Sequence, residues 1–165
     1  MSTRRITEFL NGNRVKYAII THSPAYTAQE VAASVHVPGQ ELAKTVVVNI
    51  DGEMVMAVVP ATRWVDLTTL RLVTAANYAE ITEEAAFAER FDGCQLGAMP
   101  PFGNLFGMNT FVDRSLARDE FISFNAGSHT EVISMRFADF RRLVHPKLVN
   151  ISMPMPPAGV GPLRA

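Results

Sequence analysis

Residues 44–59 constrain the fold more than any other stretch. Lys44-Thr45-Val46-Val47-Val48-Asn49-Ile50 is rich in β-branched side chains, Asp51-Gly52 is a two-residue turn signal, and residues 53–59 return as a second apolar run. Asp-Gly between two β-forming runs specifies an antiparallel hairpin, because the favoured two-residue turn needs positive φ at both positions. Near-continuous apolar runs, without polar alternation, are the pattern of strands buried on both faces. Pro60 ends the second strand.

Around this hairpin the chain reads as short helices and strands. Residues 3–11 form a helix with Ile6, Phe9 and Leu10 on one side, closed by Asn11-Gly12-Asn13. Residues 15–21 form a strand, broken by His22-Ser23-Pro24. Thr27-Ala28-Gln29-Glu30 has the spacing of a capping box and opens a helix to about Val35. Asp66 caps a helix through Leu67, Leu70 and Leu72, and Thr82 caps another over residues 83–91, stopped by Gly93. Residues 109–113, 120–124 and 129–135 read as strands, and residues 137–143 as a last short helix. Hairpins and helices mixed in this way predict an α+β domain over residues 1–147. From residue 148 the composition turns to Met and Pro, which predicts an extended C-terminal tail.

A second constraint is Gly97-Ala98-Met99-Pro100-Pro101-Phe102-Gly103. Adjacent prolines fit neither a helix interior nor a central strand, so a stiff loop with exposed backbone amides is expected. Such amides can hold a carbonyl or an oxyanion without a charged side chain. A plain connection between a helix and a strand has the same composition.

Composition narrows the classes. A chain of 165 residues is long enough for one real core, and 48% apolar content excludes a disordered chain. Its single cysteine, Cys94, excludes an internal disulfide and suits a reducing cytosol, so a cytoplasmic location is expected. No apolar run suggests a leader or a membrane span. Net charge is −1, but residues 1–25 and 136–147 each carry four basic side chains against one acidic, while residues 80–92 carry five acidic against one basic. Basic ends of this kind face phosphates or are ordinary solvated helix faces. No GxGxxG, HExxH, CxxC or Gly-x-Ser-x-Gly is present, and His22, His36, His129 and His145 are not spaced as metal ligands. Neither a metal nor a cofactor is expected.

Four features stand in a telling order: His22-Ser23-Pro24-Ala25-Tyr26-Thr27-Ala28-Gln29-Glu30, then Lys44 entering the valine-rich strand, then Gly97 to Pro101 with Phe102-Gly103, then Gly127-Ser128-His129. With these motifs the chain resembles the YbaK family of trans-editing aminoacyl-tRNA deacylases, whose domain also occurs within bacterial prolyl-tRNA synthetases. The similarity covers roughly residues 15–145. It implies a single-domain, barrel-like mixed sheet with flanking helices and a groove. It also implies hydrolysis of the ester joining a wrong amino acid to its tRNA, with mischarged aminoacyl-tRNA as substrate and an aminoacyl-tRNA synthetase as partner. The Gly-x-His turn places the chain nearer the members that edit alanine, serine or threonine than those that edit cysteine.

The resemblance assigns catalysis to Lys44, Gly97, Pro101 and His129; around them His22 and Tyr26 are expected to shape the substrate groove, and Thr45, Met99, Phe102, Gly103, Gly127 and Ser128 to bind substrate. Lys44 is expected to hold a phosphate or the ester end by charge. Amides around Met99 to Gly103 are expected to stabilise the oxyanion, and the free hydroxyl of the terminal ribose to help activate water. An aminoacyl ester is already activated, so no covalent nucleophile is needed. The alternative is a non-catalytic tRNA- or nucleotide-binding module of the same fold.

Overall fold

Asp51 and Gly52 take φ of 49° and 91°, the left-handed pair that an Asp-Gly turn supplies. In the computed structural model, which describes residues 2–155, this turn joins strand β2 (Leu42–Ile50) to β3 (Glu53–Pro60). Their ladder is antiparallel and unbroken from Ile50–Glu53 to Ala43–Pro60. The other elements are α1 (Ser2–Gly12), β1 (Tyr17–Thr21), α2 (Ala28–Val35), β4 (Arg63–Val65), α3 (Leu67–Val73), β5 (Ala79–Ile81) and α4 (Glu84–Phe87), followed by β6 (Thr110–Asp113), β7 (Phe121–Asn125), β8 (Glu131–Arg136), α5 (Phe137–Val144), β9 (Lys147–Val149) and β10 (Ser152–Pro154).

Eight of the strands form one mixed sheet in the order β1-β8-β7-β2-β3-β6-β9, with β5 pairing β2 beside this path, while β4 and β10 make a separate two-stranded sheet. The β2–β7, β3–β6 and β6–β9 pairs are parallel. Alternate residues of the central hairpin enter two cores: Ala43, Val47, Met56 and Val58 join α1, α5 and the Gly/Pro loop on one face, while Val46, Val48, Val55, Ala57 and Val59 join Leu70 of α3 on the other. Burial on both faces is why the hairpin carries no polar alternation.

Local signals fix the helix starts. Thr27 accepts from the Glu30 amide at 3.1 Å and opens α2. Asp66 accepts from the Thr69 amide at 3.0 Å and opens α3. Thr82 does not cap. Its amide instead donates to the Val47 carbonyl at 2.9 Å, and the expected helix over residues 83–91 is one α-turn, α4, followed by a 3-10 turn, Ala88–Phe91. A strand contact therefore wins over the capping pattern.

The stretch from residue 148 also departs from the expected tail. β9 extends the main sheet beside β6, and β10 pairs with β4. Buried Asp113 holds the turn between them, its Oδ1 accepting from the amides of Ile151 and Ser152 at 2.9 and 3.0 Å. The Met/Pro composition did not reveal that an aspartate remote in sequence would anchor this backbone. Residues 156–165 of the expected tail lie outside the described residues.

The Gly/Pro loop is part of the core. Phe102 is fully buried, with ring centroids 6.0 Å from Phe9, 5.3 Å from Phe124 and 5.3 Å from Phe140, so it joins α1, β7 and α5. At Gly103 the amide donates to Thr110 Oγ1 at 3.2 Å, and a Cβ would run into that hydroxyl and the Met108 carbonyl. Gly103→Ala should destabilise the fold by about 1–3 kcal/mol, the usual cost of overpacking. Urea denaturation measures this, and an unchanged midpoint would contradict the close packing.

Candidate active site

The β2–β7 ladder ends at Ala43–Phe124, and β5 takes up the same edge of β2 only at Val48. Leu42 and Glu41 carbonyls bond to opposite sides, to Ala61 and Ser123 respectively. By that alternation the backbone of Thr45 points away from β3, into the gap. The rung that would pair Thr45 with β7 is not made. A cleft of ≈ 510 Å³ opens here, lined by residues that include Lys44, Thr45, Thr82, Gly97, Met99 and Asn125.

Three polar atoms of this cleft lack partners. Thr45 Oγ1, Thr82 Oγ1 and Asn125 Oδ1 are buried without a hydrogen bond. An unsatisfied buried polar group costs about 1–3 kcal/mol, so three at one cleft mark a place built for a polar ligand. Lys44 is half-buried on the same strand and forms no ion pair among the described residues. Burial pulls its ammonium down to about 8. An ammonium desolvated in this way favours an incoming anion, which would stabilise its charged form.

Three of the motifs are laced together at one side of the cleft. His22 N donates to Thr130 O at 2.8 Å and Ala25 N to His129 O at 3.2 Å. Gln95 N donates to Gly127 O at 2.8 Å, and Gly127 N to Ala98 O at 2.8 Å. The His129 ring donates from Nε2 to the Leu96 carbonyl at 2.9 Å and packs against Tyr26 at 4.8 Å. Gly97 has φ 85°, and a Cβ there would sit 3.5 Å from the His129 ring.

Of the residues expected at the site, Lys44, Thr45, Tyr26, Gly97 and Met99 line the cleft. His129 stands behind Tyr26 as its support, and Gly127 supplies the backbone that holds the loop. Ser128 is part-buried and turned to Thr130, Oγ to Oγ1 at 3.3 Å. His22 bonds to the Ser23 carbonyl through Nδ1 at 2.7 Å, and its Nε2 is buried without a partner. Pro101, Phe102 and Gly103 are buried behind the loop and do not line the cleft, which corrects the expectation of a catalytic role for Pro101 and of substrate binding by Phe102 and Gly103. The loop amides are also less open than its prolines suggested. Those of Ala98 and Phe102 already donate to Gln95 O and Pro100 O, and that of Gly103 to Thr110. Asn125 and Thr82 were not legible as site residues, because only the divergence of β7 and β5 from β2 brings them together.

The basic ends are mostly occupied. Arg4 pairs with Glu8 at 2.7 Å and Arg136 with Glu120 at 2.6 Å. Arg5 donates to the Leu105 carbonyl and lies 4.8 Å over the Phe106 ring. No helix among the described residues is long and apolar enough to cross a membrane.

A family model described as an aminoacyl-tRNA editing domain matches residues 22–143, which span every element around the cleft. The chain belongs to the aminoacyl-tRNA editing domain family. Membership places it among the aminoacyl-tRNA editing enzymes. A curated relative, the Escherichia coli K12 protein named multifunctional Ser/Thr-tRNA deacylase ProXp-y, is 26% identical over 152 residues, covering 89% of this chain and 90% of its own. Solved structures share the fold of this editing domain. Hypothetical protein APE2540 superposes with a TM-score of 0.81 at 16% identity over 90% of this chain and 99% of its own. A candidate trans-editing enzyme for prolyl tRNA synthetase gives 0.79 at 17% identity over 92% and 97%.

The buried ammonium has a stability consequence. With a folded value near 8 against an ordinary 10.5, the unfolded chain binds more protons between those limits, so Lys44 makes stability rise with pH there. Lys44→Met should therefore raise the urea midpoint at pH 7, and the gain should shrink towards zero by pH 10.5. A pH-independent difference would show that Lys44 is not desolvated.

Proposed function

We propose that this editing domain hydrolyses the ester of mischarged tRNA and prefers small amino acids bearing a hydroxyl, serine and threonine, over alanine. The observation that carries the reading is the convergence of Lys44 with three unpartnered oxygens, Thr45 Oγ1, Thr82 Oγ1 and Asn125 Oδ1, on the open edge of β2. Two hydroxyls and an amide oxygen can pair with a substrate hydroxyl or amino group. A site built to hydrogen-bond a hydroxyl rejects the analogue lacking it far more strongly than an apolar pocket could. The name of the E. coli relative, a Ser/Thr-tRNA deacylase, supports the same reading.

The chemistry needs no covalent intermediate. Lys44 holds the ester end of the tRNA by charge. Water adds to the ester carbonyl, and the developing oxyanion is met by backbone N–H groups, that of Thr45 on the open strand edge and that of Met99 in the loop. The free hydroxyl of the terminal ribose orients the water and relays its proton. The bond from carbonyl carbon to ribose oxygen then breaks, and that oxygen leaves with the proton. The products are the amino acid and intact tRNA. The reaction draws on no cofactor or metal, and the mischarged tRNA is released by a synthetase, the protein's working partner.

Incubation with seryl-, threonyl-, alanyl- and cysteinyl-tRNA tests the reading through loss of the amino acid. Seryl- and threonyl-tRNA should be hydrolysed fastest, and Lys44→Ala should abolish release. Thr82→Val should slow seryl release about tenfold, the worth of one hydrogen bond to a buried partner, and leave alanyl release almost unchanged. A substrate lacking the free ribose hydroxyl should bind without turnover. Absence of release across the panel, with tRNA still bound, would instead favour a binding module.

A further inference from the structure

We propose that Tyr26 is a stacking platform for the adenine at the 3′ end of the tRNA. The inference rests on the deacylase reading only in naming the ligand. Its basis is the placement of one side chain. Tyr26 is 71% exposed, more than any other large apolar side chain among the described residues. An exposed aromatic ring at the mouth of a cleft offers a face on which a planar ligand can stack.

The ring is held firmly despite its exposure. Pro24 stiffens the approach to it, the Ala25 amide donates to His129 O at 3.2 Å, and the Tyr26 amide donates to Glu30 Oε2 at 3.3 Å. The ring leans against the His129 ring in a tilted contact, with centroids 4.8 Å apart and planes at 51°. His129 is itself fixed at both ends, its amide to Gln95 Oε1 at 2.7 Å and its Nε2 to the Leu96 carbonyl at 2.9 Å. A ring backed by another ring and presented to solvent loses little freedom when a third ring stacks on it.

The substrate has such a ring at the right place. The aminoacyl ester sits on the ribose of the terminal adenosine, so the base is one sugar away from the ester carbonyl. With the aminoacyl group among Thr45, Thr82 and Asn125 and the ester end at Lys44, the base lies at the cleft's rim, where Tyr26 is one of the lining residues. Stacking uses the π-face that every base has, so it grips the end common to all tRNAs and leaves the choice of amino acid to the cleft. His129 is a positioning residue in this arrangement, acting through Tyr26.

The test uses the full chain and a short RNA ending in CC-(2-aminopurine), whose fluorescence falls when the terminal base stacks. Wild type should quench it, Tyr26→Phe should do the same, and Tyr26→Ala should raise Kd about 5- to 150-fold, the worth of one base–aromatic stack. A mischarged minihelix lacking only its terminal base should lose a similar factor in kcat/KM, through KM, with wild type and nothing further with Tyr26→Ala. Equal quenching by wild type and Tyr26→Ala, or no quenching at saturating RNA, would overturn the proposal. Quenching without hydrolysis of any mischarged tRNA would leave the platform standing and remove the deacylase reading. Hydrolysis indifferent to Tyr26→Ala and to the missing base would do the reverse.

Discussion

Everything at the candidate site depends on how β2 shares its two edges. One edge is saturated by β3 along its whole length, through a register fixed by the Asp51-Gly52 turn. The other is divided, Leu42 and Ala43 to β7 and residues 48–50 to β5. Between the two partners the backbone of Thr45 is left with neither. A strand edge is normally a liability, because its free N–H and C=O groups invite any passing strand. Here the edge lies in a cleft lined by α2, α4 and the Gly/Pro loop, so it can serve a ligand without inviting aggregation. The rigidity of the β2–β3 ladder makes Lys44 and Thr45 fixed points rather than loop residues.

The same arrangement sets the energetics of the cleft. Three buried oxygens without partners and a desolvated ammonium each oppose folding. The two apolar cores on either face of the hairpin supply the stability against which these groups are tolerated. On this account the strain is functional: a substrate that satisfies the oxygens and neutralises the ammonium recovers part of the cost on binding. That recovery is greater for a ligand with a hydroxyl than for one without, which is how a small cleft could separate serine from alanine.

The parts of the structure that local chemistry decides are legible in the sequence. The hairpin, the Thr27 and Asp66 caps and the α5 helix depend on residues adjacent in the chain, and they lie where the pattern put them. The three-residue strands β4, β5, β9 and β10 carry too few residues for a periodic signal, and each exists only because a partner edge is offered to it. Thr82 has the residue type and spacing of a cap, yet its amide goes to Val47. Phe102 and Gly103 looked like pocket residues beside two prolines, but the prolines turn the chain inward, and the loop becomes core. At the site, Lys44 and the motif residues Tyr26, Gly97 and Met99 were legible through their order along the chain. Asn125 and Thr82 were not, since nothing near them in sequence marks the point where two strands part.

The most direct test of the account is a crystal structure with a non-hydrolysable analogue, 3′-serylamido-3′-deoxyadenosine, in which an amide replaces the ester. The seryl group should lie in the gap between β7 and β5, with its hydroxyl within hydrogen-bond distance of Thr45 or Thr82 Oγ1 and its carbonyl facing the open edge of β2. An analogue bound elsewhere, or bound there with those hydroxyls and Asn125 still unpartnered, would contradict it.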